Sequence, residues 1–344
     1  MSAPFSLTID WLSFTLPSGT VKETMGILEG EWIKDKGGFR GYPQCWMTVA
    51  SDRGVGKLGT GAERAPCEVH VDLSAGIVSC WPPSKVRAVL QWVGNQQGHL
   101  TRIDCALDDR AGSVPLRTIK QAIVDGQCVT RADRLQTIAS SSIHTGTPSG
   151  ETLYVGSPQS QTLLRIYDKR AELQTKGRED WASYGIRWEL QLKQDRAQVC
   201  GQVLSHLEDS DWLEFVIGVL RSYVDFRDTT REEPDDDRYR SPLLGWWKDL
   251  TESFQKGRLV VEKDSQSIPK VKRWVKQSVA PMLAVICAHD PDGQAWLEKQ
   301  IVSAAGRLKA KHRALINSRS ARENKDSSAG GDAGAPLKGG TGVS

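Results

Sequence analysis

The sequence lacks several features that would fix its class at once. It has no C-x-x-C pair. Its seven cysteines, at 45, 67, 80, 105, 128, 200 and 287, are scattered and odd in number. That pattern argues against a Cys-type metal cluster and a disulfide framework, and fits reduced thiols in a cytoplasm. Long apolar runs are missing too. The longest, Val279 to Ala288, contains Pro281 and falls far short of the ~20 residues of a membrane helix. The opening MSAPFSLTIDWLSF has neither the basic nor the apolar region of a secretory signal. Charge of one sign is not in excess: 45 Lys+Arg against 42 Asp+Glu leave a net +3. So small a surplus does not mark a nucleic-acid binder, and any basic patch must be local. Tyr and Phe number only 6 each, against 12 Trp. Trp anchors cores, and it also stacks on bases.

What is present is globular: 39% hydrophobic and 25% charged residues over 344 positions, a length that suggests about two domains. No internal repeat is visible at a period of roughly 20–50 residues. Residues 1–237 read as a mixed strand and helix domain, ending in the acidic joint Asp228 to Asp237 (DTTREEPDDD). Residues 241–316 read as a helical region, and 317–344, rich in Ser, Gly and Ala, as a disordered tail.

Four segments alternate with the period of a strand: Glu68–Leu73, Thr101–Asp109, Leu163–Lys169 and Ile186–Lys193. Thr152–Val155, leading into the turn-like Gly156–Gln161, makes a hairpin with the third. Each carries one apolar face, which predicts an α+β fold: an antiparallel sheet with helices on one face. The helix candidates are Ser84–Gly94, Leu116–Asp125, Asp195–Leu207 and Asp211–Arg221. The opposite face collects Arg102, Asp104, Asp108, Arg165, Tyr167, Arg187, Glu189 and Lys193, with Glu68 and His70. Charged strand residues ordinarily form a solvated face, but carboxylates beside a Tyr between Arg and Lys are more than solvation requires.

Gly54–Gly59 (GVGKLG) matches G-x-G-x-x-G, yet the next residues, Thr60 to Pro66 (TGAERAP), make a poor helix start. A Gly-rich β-hairpin fits better than a nucleotide loop. His99, His144, His206, His289 and His312 have no partner at useful spacing.

At LTIDWLSFTL, RIDCALDD, TLYVGSPQSQTLLRIYDK and IRWELQLK the chain resembles the replication initiation factor (Rep_trans) family, the rolling-circle initiators of plasmids and filamentous phages. The resemblance runs from about Leu7 to Glu189, and more loosely to Arg307 through PLLGWW, RWVKQSVAPMLA and Trp296–Leu297. It implies a metal-dependent endonuclease that nicks one strand of its origin, forms a 5′-phosphotyrosyl DNA intermediate and later rejoins the strand. It also implies double- and single-stranded origin DNA, a host helicase and a DNA polymerase as partners; a homodimer is a candidate assembly, and no membrane partner is expected. The family's nucleophile lies in R-I-Y-D/N-K, here Arg165-Ile166-Tyr167-Asp168-Lys169, which carries over to Tyr167. The wider superfamily holds metal on a His-hydrophobic-His pair, for which this chain has only Glu68-Val69-His70.

The residue chemistry agrees. A tyrosine can hold a phosphate through cleavage and resealing, but with a pKa of ~10 it needs a cationic neighbour or a metal. Arg165 and Lys169, two residues to either side and expected on one strand face, supply such charge. Mg or Mn suits hard oxygen ligands. Asp104 and Glu189 are the first choices, and His70, Glu68 and Asp108 the second. Against each stands a plain role: a half-buried strand tyrosine for Tyr167, a salt bridge to Arg102 or Arg187 for Asp104, and one to Lys193 or Arg165 for Glu189. Tyr154, on the adjacent strand, is the rival nucleophile. Arg102, Arg187 and Lys193 on the sheet, and Arg273 and Lys276 beside Lys270 and Lys272, are expected to contact DNA, with residues 241–316 recognising the duplex origin. The competing functions are a non-catalytic DNA-binding regulator that kept the fold, and a metal nuclease that hydrolyses with water.

Overall fold

The structure is a computed structural model that describes residues 5–49, 54–230, 232, 234–251, 259, 272 and 275–308. The chain divides into two compact units, Met1–Val261 and Glu262–Ser344.

In the first unit ten strands form one sheet: β1 (Phe5–Leu16), β2 (Trp32–Asp35), β3 (Gln44–Thr48), β4 (Gly56–Ala62), β5 (Ala65–Leu73), β6 (His99–Asp109), β8 (Leu135–Ser141), β9 (Pro148–Val155), β10 (Thr162–Asp168) and β11 (Ile186–Lys193). Their order is β2-β3-β4-β5-β1-β6-β11-β10-β9-β8, and every neighbouring pair is antiparallel. The alternation seen in sequence is the alternation of the sheet. Ile103, Cys105 and Leu107 of β6 and Trp188, Leu190 and Leu192 of β11 are buried in the core. Two short helices, α1 (Val21–Leu28) and α2 (Ala75–Val78), come after β1 and β5 in the chain. Against the apolar face pack α3 (Pro83–Asn95), α4 (Leu116–Val124), α6 (Asp195–His206) and α7 (Trp212–Tyr223), which bury Val89, Ile119, Leu204 and Ile217. The GVGKLG stretch leads into β4 of the β4–β5 hairpin rather than into a helix.

The joint expected at Asp228–Asp237 is not where the units divide. A small sheet pairs β12 (Val224–Phe226) with β7 (Cys128–Thr130), and Arg227 bridges Leu243. The chain passes through the single turn α8 (Asp235–Arg238) and enters α9 (Gly245–Thr251). Trp247 is fully buried there, 5.3 Å from the Trp188 ring and 5.2 Å from Phe226, and its Nε1 donates to Asp225 at 2.8 Å. The PLLGWW segment therefore completes the first unit's core and does not open a separate helical region.

In the second unit a π-helical turn (Val275–Val279) leads into α10 (Ala280–His289), and then α11 (Gly293–Ala305). Trp296, Ile301 and Val302 stand exposed. Among the described residues no helix is long and apolar enough to cross a membrane. None of the seven cysteines forms a disulfide. Lys270, Arg273 and the expected tail 317–344 lie outside the described residues.

Candidate active site

Strand register decides which polar residues meet. Across the sheet, Arg165 stands opposite Glu189 on one side and Tyr154 on the other, while Tyr167 stands opposite Arg187 and Thr152. β11 lies between β10 and β6, so Arg187 faces Asp108 and Gln191 faces Asp104. This order gathers Tyr154, Arg165, Tyr167, Glu189 and Asp104 although they are far apart in sequence. Tyr154, Arg165, Tyr167 and Glu189 line a cleft of about 330 Å³, rimmed by Glu172 and Lys176.

Arg165 is the hub. Its Nη2 lies 2.9 Å from Asp104 Oδ2 and donates to Glu189 Oε1 as well. Asp104 is completely buried and accepts two further bonds from Arg102, at 2.9 and 2.5 Å. The second Glu189 oxygen accepts the Tyr167 hydroxyl at 3.3 Å. Burial, opposed by Arg165 but reinforced by Asp10 and Asp104, pushes the Glu189 carboxyl up to about 7. Burial, with Glu189 adding to it, holds the Tyr167 phenol well above its ordinary value. A phenol that resists ionisation thus touches a carboxylate that takes protons near neutrality.

Two-residue alternation puts Lys169 on the strand face of Tyr167. The strand instead ends at Asp168, whose side chain accepts from Ala171 N at 2.9 Å and caps α5 (Lys169–Thr175). Lys169 is the first helical residue. It still lies over the Tyr167 ring, 5.8 Å from its centroid, and bonds Glu172 at 2.9 Å. Burial acts to raise Glu172, but hydrogen bonds from Lys176 and Lys169 hold it below the usual carboxylate range.

Three sequence expectations change. Arg187 is buried and bound to Asp108 through Nε (2.7 Å) and Nη2 (2.9 Å), and to Asp10 at 3.2 Å. It supports the site from within the sheet, where its charge is engaged by two carboxylates. Asp108 is committed to that pair. His70 is two strands from Asp104, in the row of Thr15 where Asp104 lies in the row of Trp11, a separation of roughly 16 Å from strand spacing and rise. It is buried, bonds Thr15 Oγ1 through Nδ1 at 2.8 Å, and Glu68 beside it accepts the Tyr42 hydroxyl. Arg102 stacks on Trp11 at 4.2 Å, and Lys193 donates to the Pro158 carbonyl at 2.6 Å. Lys276 is exposed in the second unit, and Arg273 lies outside the described residues.

As a metal site the expected set divides. Among the described residues no group of three or more His, Cys, Asp or Glu side chains is placed to hold a metal ion. Asp104 and Glu189, however, converge on one cationic point, the Arg165 guanidinium. Mg is commonly held by one or two carboxylates, with water and substrate phosphate filling the other positions. The pair supplies such carboxylates, but both Asp104 oxygens are bonded to Arg102 and the point shared with Glu189 is filled by Arg165, so an ion there would take the place of the Arg165 guanidinium; His70 lies outside the pair.

Asp10 is the site acid that the sequence patterns do not single out. A bulge pairs Ile9 with Cys105 and Trp11 with Asp104, leaving Asp10 as the extra residue. Its signal in the chain is a change of phase: Phe5, Leu7 and Ile9 are the apolar positions before it, and Leu12, Phe14 and Leu16 those after it.

Comparison with known proteins agrees with this architecture. A family model described as "Replication initiation factor" matches residues 98–301. The "Putative DNA relaxase NicK" of Bacillus subtilis (strain 168) is 27% identical over 225 residues, 64% of this chain and 62% of that relative's own length. A solved structure titled "Structure of Rolling Circle Replication Initiator Protein from Geobacillus stearothermophilus" matches with a TM-score of 0.60 at 23% identity. The match covers 75% of this chain and 99% of that one, and it is a likeness of fold.

Proposed function

The chain belongs to the replication initiation factor family, and from that premise we propose that it is a rolling-circle initiator that nicks and rejoins one strand of a phage or plasmid origin through Tyr167. The observation that carries the proposal is the Tyr167 hydroxyl on Glu189 Oε2 at 3.3 Å, inside a cleft that also holds Arg165.

In the step proposed, Glu189 takes the phenolic proton as the Tyr167 oxygen attacks the scissile phosphorus. A new P–O bond forms to the tyrosine, the P–O3′ bond breaks, and the 3′ oxygen leaves and takes a proton from water. The 5′-phosphotyrosyl product is resealed by the reverse step, so no external energy is consumed. Arg165 faces the phosphate, and its charge stabilises the transition state as charge spreads over the phosphoryl oxygens. Lys169, over the Tyr167 ring, favours the phenoxide. Asp104 and Glu189 would hold a Mg or Mn ion, which would supply Lewis-acid polarisation of the phosphate. A host helicase and DNA polymerase would act on the nicked product in the cytoplasm of a bacterial host, with one chain or a homodimer at the origin.

The test is a covalent adduct on a single-stranded oligonucleotide carrying the origin. Wild type is expected to form it, and Tyr167→Phe to lose it while still binding DNA, since only the hydroxyl is removed. An adduct surviving in Tyr167→Phe and lost in Tyr154→Phe would move the nucleophile to Tyr154. No adduct in wild type, with cleavage present, would favour a hydrolytic nuclease. Binding without cleavage would favour a regulator that kept the fold.

A further inference from the structure

The polar face continues well beyond the cleft. One transverse row crosses five strands: Lys57 of β4, Asp72 of β5, Ser13 of β1, Arg102 of β6 and Lys193 of β11 are successive register partners. At ordinary strand spacing the row spans roughly 19 Å. It joins the candidate site directly, because Arg102 holds Asp104 and Asp104 holds Arg165.

The far end of this row is covered by the turn between β2 and β3. Arg40 (φ 49°) and Gly41 (φ 87°) are both left-handed, and Phe39 and Tyr42 exchange backbone hydrogen bonds at 3.0 and 2.8 Å. This is the signature of a type I′ turn. The turn lies flat on the sheet because Gly59 leaves room: a Cβ there would meet the Tyr42 side chain at 2.8 Å. Tyr42 stacks on His70 with centroids 5.7 Å apart and planes 5° apart, and Phe39 stacks on the same His70 at 5.7 Å and 28°. Arg40 and Lys57 each stand 5.6 Å from the Phe39 centroid. Arg40 also bonds Asp72 at 2.6 Å, and Trp11 Nε1 bonds the other Asp72 oxygen at 2.5 Å.

Much of this holds the turn to the sheet. Two features are not explained by that role. The Arg40 side chain is 55% exposed although it sits beside a ring that is itself only partly covered. The His70 ring is 5% exposed, yet its Nε2 is buried with no hydrogen-bond partner among the described residues, whereas native interiors ordinarily pair such atoms. Aromatic rings interleaved with cations along a groove are the pattern that binds single-stranded nucleic acid without reading its sequence.

Resting on the proposed nicking function, we propose that the single strand leaving the Tyr167 cleft runs along the Lys57–Lys193 row to the β2–β3 turn, where a base stacks on Phe39 and phosphates meet Arg40 and Lys57. The ligand is single-stranded DNA of any sequence, several nucleotides away from the scissile bond.

Fluorescence anisotropy on the full chain without divalent ions tests this, with a 30-nucleotide strand, a 6-nucleotide strand centred on the nick site and a 30-base-pair duplex as probes. The wild-type chain should bind the long strand more tightly than the short one. A Phe39→Leu, Arg40→Gln, Lys57→Gln variant with wild-type melting behaviour should bind the long strand roughly 10-fold more weakly. Its salt slope should be lower by about 1.4, the loss of two phosphate contacts, and its affinity for the short strand should be unchanged. Gly59→Val, which pushes Tyr42 and the turn off the sheet, should reproduce the defect. Undiminished affinity for the long strand in the folded triple variant overturns the proposal, as does an equal loss for duplex. Its failure and that of the nicking function are separable. Adduct formation with unaltered long-strand binding in the triple variant sinks only the track, and long-strand binding through the turn with no adduct sinks only the nicking.

Discussion

Arg187 and Asp108 form a two-pronged ion pair inside the sheet, Nε to Oδ1 at 2.7 Å and Nη2 to Oδ2 at 2.9 Å, directly beside the strand of Tyr167. Both residues are buried, and Asp10 adds a third carboxylate oxygen at 3.2 Å. Removing one member of such a pair strands the other charge in a poorly hydrated site. Arg187→Ala is therefore expected to cost about 3–5 kcal/mol of stability, read from urea unfolding. A variant with unaltered unfolding and a specific loss of DNA affinity would return Arg187 to the DNA-contacting role expected from sequence.

Glu189 sets the pH dependence of the proposed step. Its carboxyl is pushed up to about 7 and must be ionised to accept the Tyr167 proton. The single-turnover nicking rate should rise with pH as Glu189 loses its proton and then level, with the inflection below about 7 where a bound Mg or Mn draws the carboxyl down. Glu189→Gln should lower the rate by about 10²–10⁴ and remove the inflection. The stability effect has the opposite sense. The folded chain keeps this proton over a range where the unfolded chain, with a Glu near ~4.3, has lost it. Stability thus falls as pH rises from there to about 7. A pH inflection of the nicking rate that survives in Glu189→Gln would exclude Glu189 as the base.

Much of this centre is legible in the chain because a strand's two-residue period sorts side chains to two faces. The apolar faces of β6 and β11 and the β9–β10 hairpin come from it directly. Strand order does not. Nothing in the spacing of Asp104, Arg165 and Glu189 says that β11 lies between β6 and β10, and this order is what brings both acids to Arg165. Period-two counting also fails where an irregularity intervenes. The bulge at Asp10 shifts the apolar phase of β1 from Ile9 to Leu12, and the Asp168 cap moves Lys169 from the strand to a helix. His70 stands out in the chain for its pattern, but Phe39 and Tyr42 come from a distant turn to cover it.

The proposed ion has a direct test. Excess chelator should stop nicking and leave most of the affinity for single-stranded DNA, since phosphate contacts by Arg and Lys need no metal. Asp104→Asn should mimic chelation, because it removes one of the two carboxylates that meet at Arg165. His70→Gln should leave the concentration of Mn needed for half-maximal nicking unchanged. Full nicking in chelator would dismiss the ion, and a large rise in the Mn requirement of His70→Gln would bring His70 back as a ligand.

The last expectation concerns where the nicking domain ends. A chain stopped at Asp237 would lack Trp246 and Trp247, which pack on Phe226 at 4.9 and 5.2 Å. It would also leave Asp225, buried between β7 and α9, without the Trp247 indole that donates to it at 2.8 Å. Opening that volume exposes Trp188, itself buried on β11 one residue from Glu189. The damage would therefore reach the base of the candidate site. Trp247→Ala in the full chain should cost about 3–5 kcal/mol, the usual range for deleting a buried aromatic. The chain ended at Asp237 should fail to melt cooperatively, while one ended at Val261, where the first unit closes, should melt as a folded domain. A cooperative transition for the Asp237-terminated chain within a few degrees of the Val261-terminated one would show that α9 is dispensable and restore the joint at Asp228–Asp237.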